Sequence, residues 1–581
     1  MAAPSLEQLL DRLDALKRPA APRESRTLAR LLTRLARRRF RDAESLVRFH
    51  EILLFMRAYP QGAALLRETE RLLKTFAARV ERLKASGADT YQLEYGEVSG
   101  IAGTGLSAVF TYDVVRRLAR AHPRRVRLAW EEDEDRAHLL ALLPRFLPLF
   151  EEDAYVDARA PFREWLRAAR RPGESELQWI VRQFESLPVS ERERAELFDP
   201  LKLWVRWELG DSRAARTHLR RPVGEVFYHR RPLLARKDVD LAREMDAPPM
   251  PVEKLSRAEG ERVLSDGSDA MTVRFRELHG FTHGDPRTVV RAEAGRGLEI
   301  FVWGVPPPRR LPLLAYHAGL FLKNGVPVGY HEGLSLFERT EIGVNLFYTF
   351  RDGESAWTYA RLMRLYRQLL GTRVFSVEPY QLGGSGNYEG LDSGAFWFYR
   401  KLGFRPVRPE IARLVEAEER KIAAPPDYRT GRAALERLAS GHVVFEATDA
   451  ARRGDDNQPR AGEWDNFHVR RIGLAVQRRM AREFGGDARK VRADSARQVE
   501  RALGAARVSF NDDERRAFEN FSLPLALVPD LARWTRDERR DLLKIVRAKA
   551  GRDERTYLRL LRRHARLRRA IIALGTNSRT R

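Results

Sequence analysis

The stretch Asp392-Ser-Gly-Ala395-Phe-Trp-Phe398-Tyr399-Arg-Lys-Leu-Gly403-Phe404 decides how the chain is read. Ser393 to Leu402 reads as a helix, and Gly403-Phe404 marks a turn into a strand at 404–408. Working backwards, a Gly-rich loop (382–390) precedes this helix, a strand (373–378) precedes the loop, and a helix (355–370) precedes the strand. Further upstream the period changes to two. Strands are expected at 271–278, 288–292, 298–305, 313–323, 326–336 and 341–348. Pro306-Pro-Pro308 and Lys323-Asn-Gly325 punctuate them, the second as a hairpin turn.

The order is a run of antiparallel strands, a helix, a strand, then a helix closing on Tyr-Arg-Lys-Leu-Gly-Phe. This resembles the GNAT superfamily of acyl-CoA-dependent N-acyltransferases over about a quarter of the chain. In that family an Asn is often followed by Ala at three, a large apolar residue and Tyr at six and seven, and Gly-Phe at eleven and twelve. Each spacing is met here, with Asp392 in place of the Asn. The resemblance implies a mixed, largely antiparallel sheet with flanking helices. It also implies transfer of an acyl group from acetyl-CoA or another acyl-CoA, as co-substrate, to a small-molecule or peptide amine.

It implies site residues as well. Tyr399 stands where the family's Tyr protonates the leaving thiolate. The general base is sought on the central strands, where Glu341 is the first choice and His331, Glu332 and Glu378 are others. Leu346, Phe347, Arg351, Gly353, Glu354, Ser355 and Ala356 lie where the family binds CoA. The physics of that site is general, since free amides and the dipole at a helix start attract an anion. The loop Phe350-Arg351-Asp352-Gly353-Glu354-Ser355-Ala356 fits the family's pyrophosphate pattern in neither register, and Glu354 brings a negative charge to it. On the residues alone, Asp352 and Glu354 also read as helix caps. The loop from Tyr380 to Gly390 borders the acceptor cleft in the family, so Gly384, Gly386, Asn387 and Glu378 are substrate-binding candidates. The alternative is a non-catalytic scaffold of the same fold within an interaction protein.

Outside this region the chain reads as α/β and multidomain. Residues 1–88 form a helical region opened by a Ser5/Gln8 capping box and closed at Ala85-Ser-Gly87. Residues 89–250 are mixed, with a βαβ-like unit (strand 91–98, helix 106–121, strand 125–130) followed by helices in which Trp165, Trp179, Trp204 and Trp207 are core candidates. Gly100-x-x-Gly103-x-Gly105 stands between strand and helix as a phosphate-binding turn would, with Glu131–Glu134 where a ribose-binding carboxylate would fall. The spacing is not that of a dinucleotide fingerprint, and a structural turn is the plainer reading. The acyltransferase-like domain spans 265–420, and 425–581 is a basic helical region.

The 581 residues carry 106 Lys+Arg against 81 Asp+Glu, a formal charge of +25. Only about a dozen of the basic residues are Lys. From Leu531 to Arg581 there are 17 basic and 5 acidic residues, so nucleic acid or another polyanion is a partner candidate at 531–581. The chain has no cysteine, which excludes disulfides, thiolate nucleophiles and Cys-ligated metals. No His/carboxylate spacing suggests a metal site. The most apolar stretch, 139–150, is broken by Pro144 and Arg145, so no membrane span is expected. No signal peptide is read, and a cytoplasmic protein is the expectation.

Overall fold

The computed structural model describes residues 4–19, 24–132, 146, 162–424, 427–447, 462–506 and 508–576. Most of the apolar stretch 139–150, Asp133 and Glu134 of the acidic cluster, and the Arg- and Asp-rich stretch 452–457, which reads as a loop, lie outside the described residues. The chain divides into two compact units. The first comprises Met1–Pro232, Leu264–Thr282 and Asn324–Pro327. The second comprises Leu233–Val263, His283–Lys323 and Val328–Arg581.

The first unit opens with α1 (Leu6–Leu16), α2 (Glu24–Ala36), α3 (Ala43–Ala58), α4 (Ala63–Lys74) and α5 (Phe76–Ala85). The Ser5/Gln8 capping box is formed. Leu9, Leu10, Leu46, Leu53 and Leu72 are buried, as the period of three and four requires. A break at Thr75 separates α4 from α5.

Beyond residue 90 the structure departs from the expected elements. Residues 91–98 are two 3₁₀ turns rather than a strand. Gly105–Val109 is strand β1, and the helix α6 begins only at Tyr112 and runs to Ala121. With β2 (Val126–Leu128) and β3 (Trp204–Glu208) it forms a sheet of order β1-β3-β2, in which β3 is antiparallel to both neighbours. The βαβ unit is therefore not formed as expected: its first strand is Gly105–Val109 instead of 91–98, and β3, from far downstream, lies between β1 and β2. Trp207 is buried at the centre of that sheet, against His122 at 4.8 Å. The Gly100–Gly105 turn precedes β1 instead of joining a strand to a helix, which removes the phosphate-turn reading. A Cβ on Gly103 would lie 2.9 Å from the Ala77 carbonyl, and one on Gly100 2.8 Å from Val273. These glycines allow close packing.

Among the described residues of the second unit, nine strands form one sheet of order β11-β12-β10-β9-β8-β7-β6-β5-β4. They are β4 (Val252–Lys254), β5 (Val290–Gly295), β6 (Leu298–Trp303), β7 (Ala315–Lys323), β8 (Val326–Leu336), β9 (Arg339–Leu346), β10 (Val374–Val377), β11 (Arg405–Pro406) and β12 (Val443–Glu446). The sheet is mostly antiparallel, and β9 with β10 is a parallel pair. Their crossover is α7 (Ser355–Leu370). The Asn324-Gly325 turn has positive φ at both positions, as a two-residue hairpin requires.

Three expectations change here. The stretch 271–278 is not a strand, since helix Arg257–Thr272 runs into it and turns at Phe275. The helix expected over 393–402 is α8 (Ala395–Lys401), separated by left-handed Gly394 from a short turn of helix at Tyr388–Asp392. The region beyond 425 is not wholly helical, because β12 inserts between β10 and β11. Residues 265–420 and 425–581 thereby share a sheet. Helices α9 (Val469–Phe484), α10 (Glu554–Arg563) and α11 (Ala565–Thr576) belong to the same unit.

Candidate functional site

β9 and β10 pair over three rungs: Arg339 with Val374, Thr340 with Phe375, and Glu341 with Ser376. Then they part. β10 stops at Val377, and Pro379 offers no N–H to extend it. β9 continues to Leu346 in register with β8, Ile342 opposite Gly333 and Leu346 opposite Gly329. One backbone edge of residues 342–346 therefore faces a wedge rather than a strand. Burial follows the pairing, since Arg339 and Thr340 are buried whereas Gly343 to Leu346 are half-buried. Asn345 Oδ1, at the open end, is buried without a hydrogen-bond partner. A Cβ on Gly343 would lie 3.6 Å from Gln381 Nε2, so the Gln381 amide leans over this wedge.

The two faces of the sheet differ. Gly333 lies beneath Tyr366 of α7, where a Cβ would come within 2.5 Å of the ring. His331 shares that face. It is fully buried, with Nδ1 2.9 Å from the Tyr366 hydroxyl and Nε2 3.0 Å from the Phe301 carbonyl. Burial lowers it to a pKa of about 3, so it is a neutral core residue and not a base. Glu332, Leu334 and Glu341 point to the opposite face. Glu332 accepts a hydrogen bond from the Tyr316 hydroxyl.

Glu341 and Glu378 have opposite electrostatics. Burial opposes the charge of Glu341, but the hydrogen bond from His442 and the Arg339 cation 3.1 Å away overcome it, leaving a pKa of about 2. A carboxylate so acidic is a feeble base at neutral pH. Glu378 follows β10 and is exposed. Desolvation raises its pKa, and the charges of Glu341 and Glu332 add to the rise. Of the two carboxylates, Glu378 is the weaker acid.

At the start of α7, Glu354 occupies the N-cap position, yet its side chain makes no cap hydrogen bond. It turns inward and is fully buried. Oε2 is 2.7 Å from Lys323 Nζ, Oε1 is 2.8 Å from Arg296 Nε, and Oε1 also accepts the Leu234 N–H at 3.1 Å. Desolvation disfavours the carboxylate, but Lys323 and Arg296 dominate and its pKa falls to about 2. Burial brings Lys323 down to about 8. The negative charge expected to repel an anion from this loop is thus neutralised within the protein, which corrects the reading of Glu354 as a simple helix cap. Arg351 donates to the Leu346 carbonyl and pairs with Glu389, and Ser355 Oγ donates to the Arg351 carbonyl. Phe347 and Ala356 are buried, and Gly353 is half-buried. The first-turn amides of α7 have no intrahelical acceptor.

Tyr399, on α8, packs edge-on against Tyr359 of α7 at 5.5 Å and against Phe404 at 5.6 Å. It is 5% exposed, and desolvation raises its pKa well above the usual phenol range. The hydroxyl is therefore neutral at physiological pH and a weaker acid than an ordinary phenol. The hydroxyl of neighbouring Tyr359 is buried without a partner.

The loop residues expected to hold substrate are largely used by the loop itself. Asn387 Oδ1 accepts the Gly390 N–H and its Nδ2 donates to the Tyr380 carbonyl. A Cβ on Gly384 would strike the Ala439 carbonyl at 2.6 Å, whereas Gly386, at φ 84°, faces open space. Sequence reasoning missed Gln381, His442, His468, Arg408 and Arg470. Three of these lie outside the stretch carrying the resemblance, and no motif links them. In 531–576 part of the basic charge is internal. Lys549 is buried 2.5 Å from Glu554, and Arg568 is buried between Glu338 and Glu463. Among the described residues no group of His and carboxylates could hold a metal, and no helix is long and apolar enough to cross a membrane.

Comparison with protein-family models, with curated proteins and with solved structures finds no match to this chain.

Proposed function

We propose that the β9–β10 wedge transfers an acyl group from acyl-CoA to an amine, in the manner of the GNAT superfamily that the sequence resembles. The observation that carries this reading is the parting of two parallel strands after three rungs, beside the start of a 16-residue helix. An open strand edge gives a pantetheine-like chain backbone partners, and the first-turn amides of α7 suit a pyrophosphate. In the step proposed, the amine nitrogen attacks the thioester carbonyl carbon. The free edge of β9 polarises the carbonyl oxygen. The C–S bond breaks, Tyr399 protonates the departing sulfur, and Glu378 receives the amine proton through water. Acid–base help of this kind contributes about 10²–10⁴-fold.

Glu354 favours a second reading. Lys323 and Arg296 beside the loop are already committed to it, as suits a scaffold that binds no nucleotide. Calorimetry of the full chain with acetyl-CoA separates the two. Binding supports the transferase, and absence of heat together with an unmoved melting temperature supports the scaffold.

A further inference from the structure

On the sheet face turned away from α7, a cleft of about 680 Å³ opens around Glu341. Arg339, Arg408, Arg470, Arg471 and Arg478 line it, and Glu341 is the one carboxylate among the lining residues. Arg339 is held by Glu341, and Arg471 donates to the carbonyls of Asn466 and Thr576. Arg408 and Arg470 are exposed and form no ion pair among the described residues. Arg470, Leu474 and Arg478 recur at intervals of four along α9, so one helix face supplies both charge and apolar surface. Val469 is 38% and Leu474 47% exposed at the rim.

The field inside is positive. His442 and His468 lie with ring centroids 5.3 Å apart. Burial, then His442 and the Arg471, Arg339 and Arg470 cations, hold His468 neutral, with a pKa of about 4. A cleft that refuses a proton to histidine while presenting uncommitted guanidinium groups is built for an anion. The guanidinium fork matches phosphate oxygens two at a time. The volume falls within the range of nucleotide-sized ligand sites.

We infer that this cleft binds a phosphate-bearing ligand of nucleotide size, its phosphates on Arg408 and Arg470 and its apolar body against Val469 and Leu474. The cleft and the start of α7 belong to opposite faces of the sheet, so this ligand is not the one the loop before α7 would cradle. If the wedge is an acyl-transfer site, as proposed above, the ligand is the amine acceptor, delivered on the side of Glu341 and Glu378.

The test is calorimetry of the full chain with ATP, inorganic triphosphate and adenosine as probes, with acetyl-CoA in parallel. ATP and triphosphate are expected to bind, more weakly as salt rises, and adenosine to give no heat. The double variant Arg408→Glu/Arg470→Glu changes exposed side chains only. It is expected to keep the parental melting temperature and acetyl-CoA binding while weakening ATP at least tenfold. Absence of ATP and triphosphate binding, or equal ATP affinity in the double variant, overturns the inference. Loss of acetyl-CoA binding in the double variant would put CoA itself in the cleft and overturn the acceptor assignment. Triphosphate binding without any acetyl-CoA binding would sustain the cleft and remove the transferase.

Discussion

At the residue scale, Glu354 shows how a side chain can look wrong for a site and be made harmless. Its carboxylate is fully buried, and its charge is sustained chiefly by Lys323 and Arg296, with the Leu234 N–H beside them. Removing one partner of such a pair leaves an uncompensated buried charge, at a cost of about 3–5 kcal/mol. Glu354→Ala is therefore expected to lower unfolding stability by about that much in denaturant titration, and Lys323→Met with Glu354→Leu to recover much of it. An effect of Glu354→Ala below ~1 kcal/mol would mean that the buried pair is not formed. Tyr399 makes the matching chemical case. Tyr399→Phe removes the proton donor and keeps the ring packing, so it should slow acetyl transfer to a mixed amine pool about 10²-fold with acetyl-CoA affinity intact. Unchanged turnover would remove Tyr399 from the reaction.

At the element scale, the sequence carried the central layer well and its edges poorly. α7, β10 and the hairpin at Asn324-Gly325 were legible because periodicity and turn chemistry agree there. β12 was not. Val443–Glu446 is four residues long and lies among helices, and only its partners Phe375 and Arg405, 40–70 residues upstream, make it a strand. The N-terminal Gly turn failed for the reverse reason. Its glycines satisfy close packing against Val273 and Ala77, needs that have the same local spelling as a phosphate turn. Of the site, Tyr399, Glu341 and Glu378 could be named from local pattern. His442 and His468 could not, since they reach the cleft only through β12 and α9. The β8–β9 turn is a further element fixed at long range. Glu338 within it is buried against Arg568 of α11 and accepts the Trp464 indole N–H. Arg568→Leu should therefore cost about 3–5 kcal/mol in unfolding free energy, against a fraction of that for Arg569→Leu on the exposed side. Equal effects would show that the clamp is not formed.

At the scale of the whole molecule, the second unit runs to the end of the described chain. A protein ended at residue 424 loses β12 from between β10 and β11 and should show no cooperative unfolding of that unit by calorimetry or circular dichroism. Acid sensitivity belongs to this scale too. Glu341 and Glu354 both have folded pKa values of about 2 against an ordinary 4.5. Each binds fewer protons folded than unfolded between those values. Their contribution is therefore full above about pH 4.5 and is lost as pH falls towards 2. The melting temperature should fall across that window, and less steeply in Glu341→Gln, whereas a flat profile would contradict the ion pairing of both.

The wedge between β9 and β10 bears the functional account, and it can be filled. Asn345 lies at its open end with a buried, unpartnered oxygen. Calorimetric titration of acetyl-CoA into the full chain and into Asn345→Trp tests the claim directly. Binding to the parent is expected, with at least a tenfold loss in the variant at equal melting temperature. Equal affinity in the two proteins, or no binding to either, would contradict it.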